Sequence, residues 1–118
     1  MTSLHIRLEA RSAARRCRRA YEVTVSADLF GAWLVEMSYG RIGALGRTKT
    51  RSFPRAVDAA AQVETCLRKR ASAPRRIGVA YRVRSAVQNG EWHTPDLQER
   101  LCTWFPQSVE AVQSHNLT

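Results

Sequence analysis

Long apolar runs, paired cysteines and clustered carboxylates are all missing from this chain of 118 residues. No apolar stretch approaches the roughly 18 residues that a membrane span requires, so no membrane partner is expected. Residues 1–19 lack the apolar segment of a secretory signal, and the cytoplasm is the expected compartment. The three cysteines, Cys17, Cys66 and Cys102, are scattered and odd in number. They form no C-x-x-C pair and have no histidine at ligand spacing, which argues against a disulfide framework and against a zinc site. Cys66 and Cys102 read instead as small core residues on helices. His5, His93 and His115 stand apart from one another and read as surface side chains. The chain has no P-loop, no G-x-G-x-x-G loop, no nucleophile–base motif and no carboxylate pair suited to acid–base work. No catalytic residue, metal ligand or cofactor is therefore assigned, and an enzyme is not expected.

Positive charge is what the chain has in excess. The formal net charge is +9, and 17 of the 19 basic residues are arginine. Residues 1–84 hold 18 basic against 6 acidic residues, a net of +12, whereas residues 85–118 hold 1 against 4, a net of −3. Arginine presents a planar fork that matches phosphate, although a bias toward arginine also follows from genome composition. A positive excess of this size attracts polyanions. Nucleic acid is the expected partner, and an acidic protein is the alternative.

The hydrophobic pattern is that of a small α+β domain. Leu4, Ile6 and Leu8 alternate with polar neighbours, as do Tyr21, Val23 and Val25, then Trp33, Val35 and Met37. Each reads as a half-buried strand. Asp28 and Gly31 mark the turn between the second and third. Gly40, Gly43 and Gly46 imply sharp bends or close backbone approach. In residues 47–52, Arg47, Lys49 and Arg51 share one face and threonine and serine the other, the pattern of a strand presenting a basic surface. A helix over 54–71 is read from Pro54 and the stripe Ala56, Ala60, Val63 and Leu67. Residues 79–84 form a further strand with Val79, Tyr81 and Val83 inward. A short helix begins at Thr94–Pro95 and carries Leu97, Leu101 and Trp104; the last dozen residues read as a weak helix or tail. Trp33, Phe30 and Phe53 are expected in the core, with Trp92 and Trp104 pinning the C-terminal segment. The expected architecture is a twisted antiparallel sheet of about five strands with one helix packed on a face, plus a short C-terminal helix. Residues 1–84 form the domain, and residues 85–118 an extension packed on it.

Residues 6–84 resemble a WGR domain, the module named for a Trp-Gly-Arg triplet. The resemblance is carried by the strand Tyr21–Val25, the turn Asp28-Leu29-Phe30-Gly31-Ala32-Trp33, the segment Tyr39-Gly40-Arg41-Ile42-Gly43, Gly46, the Arg47–Ser52 strand, the helix from Pro54, and Tyr81. Tyr39 stands where the family has its name-giving tryptophan. In DNA-damage-responsive poly(ADP-ribose) polymerases that tryptophan packs on a DNA end, and the triplet's arginine makes polar and interdomain contacts. By resemblance these roles fall to Tyr39 and Arg41. The match includes neither a polymerase catalytic domain nor zinc fingers, so polymerase activity is not implied; the chain looks like the small stand-alone bacterial WGR proteins.

The expected function is therefore non-enzymatic binding of nucleic acid, DNA first. Arg41, Arg47, Lys49 and Arg51 would contact phosphates and Tyr39 would stack at an end or unpaired site. Clusters at Arg11–Arg19 and at Arg75 and Arg76 are candidates to extend the surface. The bland readings are a core tyrosine with an ion-paired arginine, and a solvated edge strand. Glu36 and Asp58 are the nearest candidates to neutralise the cations. The alternative function is a protein-interaction module docking an acidic partner or another domain.

Overall fold

The computed structural model describes residues 2–89, 92, 96–106 and 113–115. Five strands form one antiparallel sheet: β1 (Thr2–Ser12), β2 (Cys17–Ala27), β3 (Trp33–Arg41), β4 (Arg47–Phe53) and β5 (Arg82–Asn89). A short β6 (Gln113–His115) adds to β5 in parallel, and the order across the sheet is β4-β3-β2-β1-β5-β6. Helix α1 (Ala56–Ala71) lies across one face, a single turn α2 (Ala73–Ile77) follows it, and α3 (Leu97–Trp104) completes the α+β fold.

Period-two alternation builds the core. Leu4, Ile6 and Leu8 of β1, Tyr21, Val23 and Val25 of β2, and Val35 and Met37 of β3 are buried toward the helix. They meet Ala59, Val63, Cys66 and Leu67 of α1. In β5 the buried Val83 and Ala86 differ in phase. A bulge explains this: Arg7 pairs with Ser85 and Leu8 with Val83, which leaves Arg84 without a partner in the ladder.

Several elements run longer than the sequence pattern indicates. The first two strands extend through the arginine cluster, leaving only Ala13–Arg16 as the turn. The chain resumes as α2 after Ser72, because Pro74 stands in the first turn, where its missing N–H costs nothing. Ala56 is exposed, since α1 begins there, before the stripe reaches the sheet. The strand expected at 79–84 lies at Arg82–Asn89, although Val79, Tyr81 and Val83 are all buried. Residues 113–115, expected in a weak helix or tail, form β6. The expected helix start at Thr94–Pro95, Gly90 and His93 lie outside the described residues.

Two core assignments are corrected. Phe30 is 93% exposed and Leu29 98%. Asp28 Oδ1 accepts the N–H groups of Phe30 and Ala32 at 2.8 and 2.9 Å, and this hydrogen-bonded loop takes the two side chains out of strand alternation. Cys102 is exposed on α3, one residue past the buried Leu101. Trp33 and Phe53 are half-buried; Trp33 packs on the buried Trp92 with ring centroids 5.3 Å apart.

The β3–β4 connection is held by close backbone contact. Ala44 N–H donates to the Arg41 carbonyl at 3.1 Å and Gly43 has φ +84°, the arrangement of a type II turn. A Cβ on Gly46 would lie 2.3 Å from the Tyr39 carbonyl oxygen, so the backbones of Tyr39 and Gly46 nearly touch.

The sheet face away from α1 is polar, and two carboxylates there are shared among several cations. Glu9 is buried beneath Arg7, Arg11 and Arg84, at 2.9, 3.1 and 3.4 Å. Glu22 pairs with Arg7 and, at 3.0 Å, with His5. Burial alone would raise the Glu9 pKa, but the hydrogen bonds and charges of Arg7 and Arg11 outweigh it and hold the carboxyl below its usual value. The His5 hydrogen bond does the same for Glu22, aided by Arg7 against burial.

Two outcomes are expected. Gly46→Ala forces a backbone shift and lowers stability by about 1–3 kcal/mol in urea titration. Between the depressed native pKa values and the unfolded value of about 4.3, the native state binds fewer protons than the unfolded chain. The network's contribution is therefore complete above that window and is lost as pH falls through the native values. Glu9→Gln lowers the urea midpoint at neutral pH and shows a smaller acid-induced drop than the parent.

Candidate nucleic-acid interface

At the end of the sheet where α1 stops, the same face that forms the core turns cationic. Arg19 continues the phase of Tyr21, Val23 and Val25; Arg41 continues that of Met37 and Tyr39. The two arginines sit directly opposite each other in the β2–β3 ladder, while Arg11 faces Arg18 between β1 and β2 on the other face of the sheet. Like charges in facing positions destabilise a sheet. From above, Arg70 in the last turn of α1 reaches down over the Tyr21 ring at 4.2 Å and toward the Tyr39 ring at 5.9 Å. Its buried Nε has no hydrogen-bond partner among the described residues. The β1–β2 turn adds Arg15 and Arg16, with Arg16 in the left-handed region at φ 51°.

These groups enclose a cleft of about 570 Å³ lined by Arg15, Arg16, Arg18, Arg19, Arg41 and Arg70 together with Tyr39 and Tyr81. No carboxylate lines it among the described residues. Burial pushes the Tyr81 phenol above its ordinary pKa, against the lowering pull of Arg70 and Arg19. Burial likewise raises Tyr21, with a hydrogen bond involving Cys66 adding to it. Both phenols are thus neutral at physiological pH, and neither opposes the positive charge of the cleft.

The five site residues expected from sequence divide between two places. Tyr39, half-buried against the core, and Arg41, exposed, line the cleft. Arg47 is the ladder partner of Tyr39 and stands beside it on β4. Lys49 and Arg51 continue along β4 on the same sheet face, Arg51 roughly 13 Å beyond Arg47 at about 3.3 Å per residue. They do not line the cleft. Arg51 donates to Gln62 Oε1 at 2.9 Å and lies over Phe53. Among the described residues no ion pair engages Arg41, Arg47, Lys49 or Arg51. Glu36 faces the opposite side of the sheet, across from Thr24 and Thr50, and Asp58 forms no ion pair there either.

The sequence shows Arg15, Arg16, Arg18 and Arg19 only as a cluster, and it does not single out Arg70 or Tyr81 as site residues. A signal did exist. Arg19 and Arg41 occupy core-facing strand positions, and Arg70 falls one helical step beyond Cys66 and Leu67 on the buried stripe. A charge in the phase of the core is the mark of a site. Among the described residues no three His, Cys, Asp or Glu side chains gather as metal ligands, and no helix is long and apolar enough to cross a membrane.

No curated protein and no solved structure matches the chain. The family model of the WGR domain, a module known in general for binding nucleic acid, matches residues 4–74. That span is more than half of the sequence and contains both the sheet phase and the helix that build the cleft: the chain belongs to the WGR family.

Proposed function

We propose that this WGR protein binds nucleic acid, with DNA as the first candidate, and that it does so without catalysing a reaction. The supporting observation is how the arginines are divided. On the outer sheet face Arg7, Arg11 and Arg84 share Glu9 and Glu22. No carboxylate lines the cleft among the described residues, and Arg19, Arg41 and Arg70, which reach it from the helix side, form no ion pair there. The facing pair Arg19 and Arg41 carries a repulsion that a bound polyanion relieves.

In this reading Arg41 and its cleft neighbours hold phosphates, and Arg47, Lys49 and Arg51 extend the contact along β4. Tyr39 offers an aromatic edge where the two surfaces meet, suited to a base or sugar at a strand end or unpaired position. Recognition of phosphate alone carries no sequence information, so binding is non-specific in sequence. The rival reading, a surface for an acidic protein, draws its support from the geometry of β4 rather than from the cleft.

Fluorescence anisotropy with a labelled duplex, titrated between about 50 and 200 mM salt, tests the division. Arg19→Ala, Arg41→Ala and Arg70→Ala each weaken binding and each reduce the salt slope, by roughly 0.9 for every phosphate no longer neutralised. Arg84→Ala, on the outer sheet face and paired with Glu9 at 3.4 Å, leaves the slope unchanged. Arg41→Ala also leaves thermal stability equal to or above the parent, because it removes a like-charge pair. A salt-independent affinity, or equal losses from Arg84→Ala and Arg41→Ala, would overturn the reading.

A further inference from the structure

β4 is the edge of the sheet among the described residues, and the direction of its peptide groups follows from the ladder. Ile42 N–H donates to the Arg18 carbonyl at 3.0 Å, which makes these two a hydrogen-bonded pair across β2 and β3. Hydrogen-bonded and non-hydrogen-bonded pairs alternate in an antiparallel ladder. Val35, Met37 and Tyr39 therefore aim their peptide groups at β4, where their partners are Arg51, Lys49 and Arg47. The residues between, Thr48, Thr50 and Ser52, aim N–H and C=O outward. No backbone group among the described residues pairs with them.

We propose that this edge takes up an extended acidic peptide as an added antiparallel strand, a site apart from the cleft that uses the β4 cations Arg47, Lys49 and Arg51 in place of the duplex contact. β4 pairs with β3 over seven residues without a register shift and contains no proline. Every residue from Arg47 to Ser52 is exposed. The strand thus offers an unbroken template about 23 Å long. Its three cations occupy the positions that become non-hydrogen-bonded pairs with an incoming strand. There the facing Cα atoms approach to about 4.5 Å, and side chains are closest. Carboxylates at every second residue of the incoming strand would each meet one of Arg47, Lys49 and Arg51, while its intervening residues face Thr48, Thr50 and Ser52 and bond to their backbone.

A second copy of the chain does not fit. Antiparallel pairing of β4 with itself, cationic faces aligned, sets cation against cation. The charges that block self-association therefore select an anionic strand.

The test uses the full chain and a labelled seven-residue peptide alternating threonine and glutamate, with no nucleic acid present. N-methylation of the two central threonines, whose N–H groups face β4, weakens binding at least about tenfold. N-methylation of two glutamates, whose N–H groups point away, leaves affinity within about threefold. Thr50→Pro removes an outward N–H without touching the β3 ladder and reproduces the tenfold loss, yet keeps duplex affinity within about twofold. Equal affinities for the two N-methylated peptides, or for a peptide of the same composition with its glutamates in one block, would reduce the interaction to charge attraction and overturn the proposal. The peptide assay alone decides between peptide arms, so its outcome is separate from that of the duplex titration.

Discussion

One face of the β-sheet is longer than the helix that covers it. The alternation that buries Tyr21, Val23 and Val25 under α1 does not stop where α1 stops; it carries on to Arg19, and in β3 from Met37 through Tyr39 to Arg41. A strand has no means of switching the phase of its side chains short of a bulge. The β2–β3 ladder runs unbroken from Ala27 opposite Trp33 to Arg19 opposite Arg41. Whatever stands at its last positions must face the same way as the core. In this chain those positions hold arginine, and the cleft is the uncovered continuation of the hydrophobic layer.

The electrostatics of the two sheet faces follow from where the carboxylates fall in that alternation. Glu9 and Glu22 belong to the phase that points away from α1, so they pair with His5, Arg7, Arg11 and Arg84 and leave Arg19, Arg41 and Arg70 without an ion pair among the described residues. Shifting Glu22 by one position along β2 would place a carboxylate in the helix-side phase and blunt the cleft. Net charge by itself says little here. The +9 of the chain is a sum over cations that are already satisfied and cations that are not. Only the second group has electrostatic free energy to gain from a polyanion.

Much of this is readable from the residues alone. The alternation in β1, β2 and β3, the helix after Pro54 and the grouping of Tyr39 with Arg41 are local patterns, and periodicity reports them directly. The cleft as a whole is not readable, because it is made by register. Nothing in the sequence sets Arg19 opposite Arg41 until the length of the β2–β3 turn is known, and that length depends on how Asp28 closes its loop. Arg70 comes from a third element, seen over Tyr21 only once the helix is docked. Phe30 defeats the sequence pattern for the converse reason. Its apolar type suggests burial, while the backbone hydrogen bonds around Asp28 decide the direction of the side chain.

Tyr39 joins these surfaces mechanically as well as chemically. Its ring lies beneath Arg70, and its ladder partner is Arg47, the first cation of β4. Its carbonyl is in close contact with Gly46, so the glycine loop fixes the angle at which β4 leaves the hairpin. The name-giving tryptophan of the family is larger; tyrosine at this position keeps an aromatic face for Arg70 while taking less room. Its position therefore reaches three things at once: the placement of a cleft cation, the start of the basic strand and the geometry of the turn between them. For that reason replacing the Tyr39 side chain alone is an ambiguous experiment, and the arginines around it, which share no backbone constraint with Gly46, are the cleaner probes of what the surface binds.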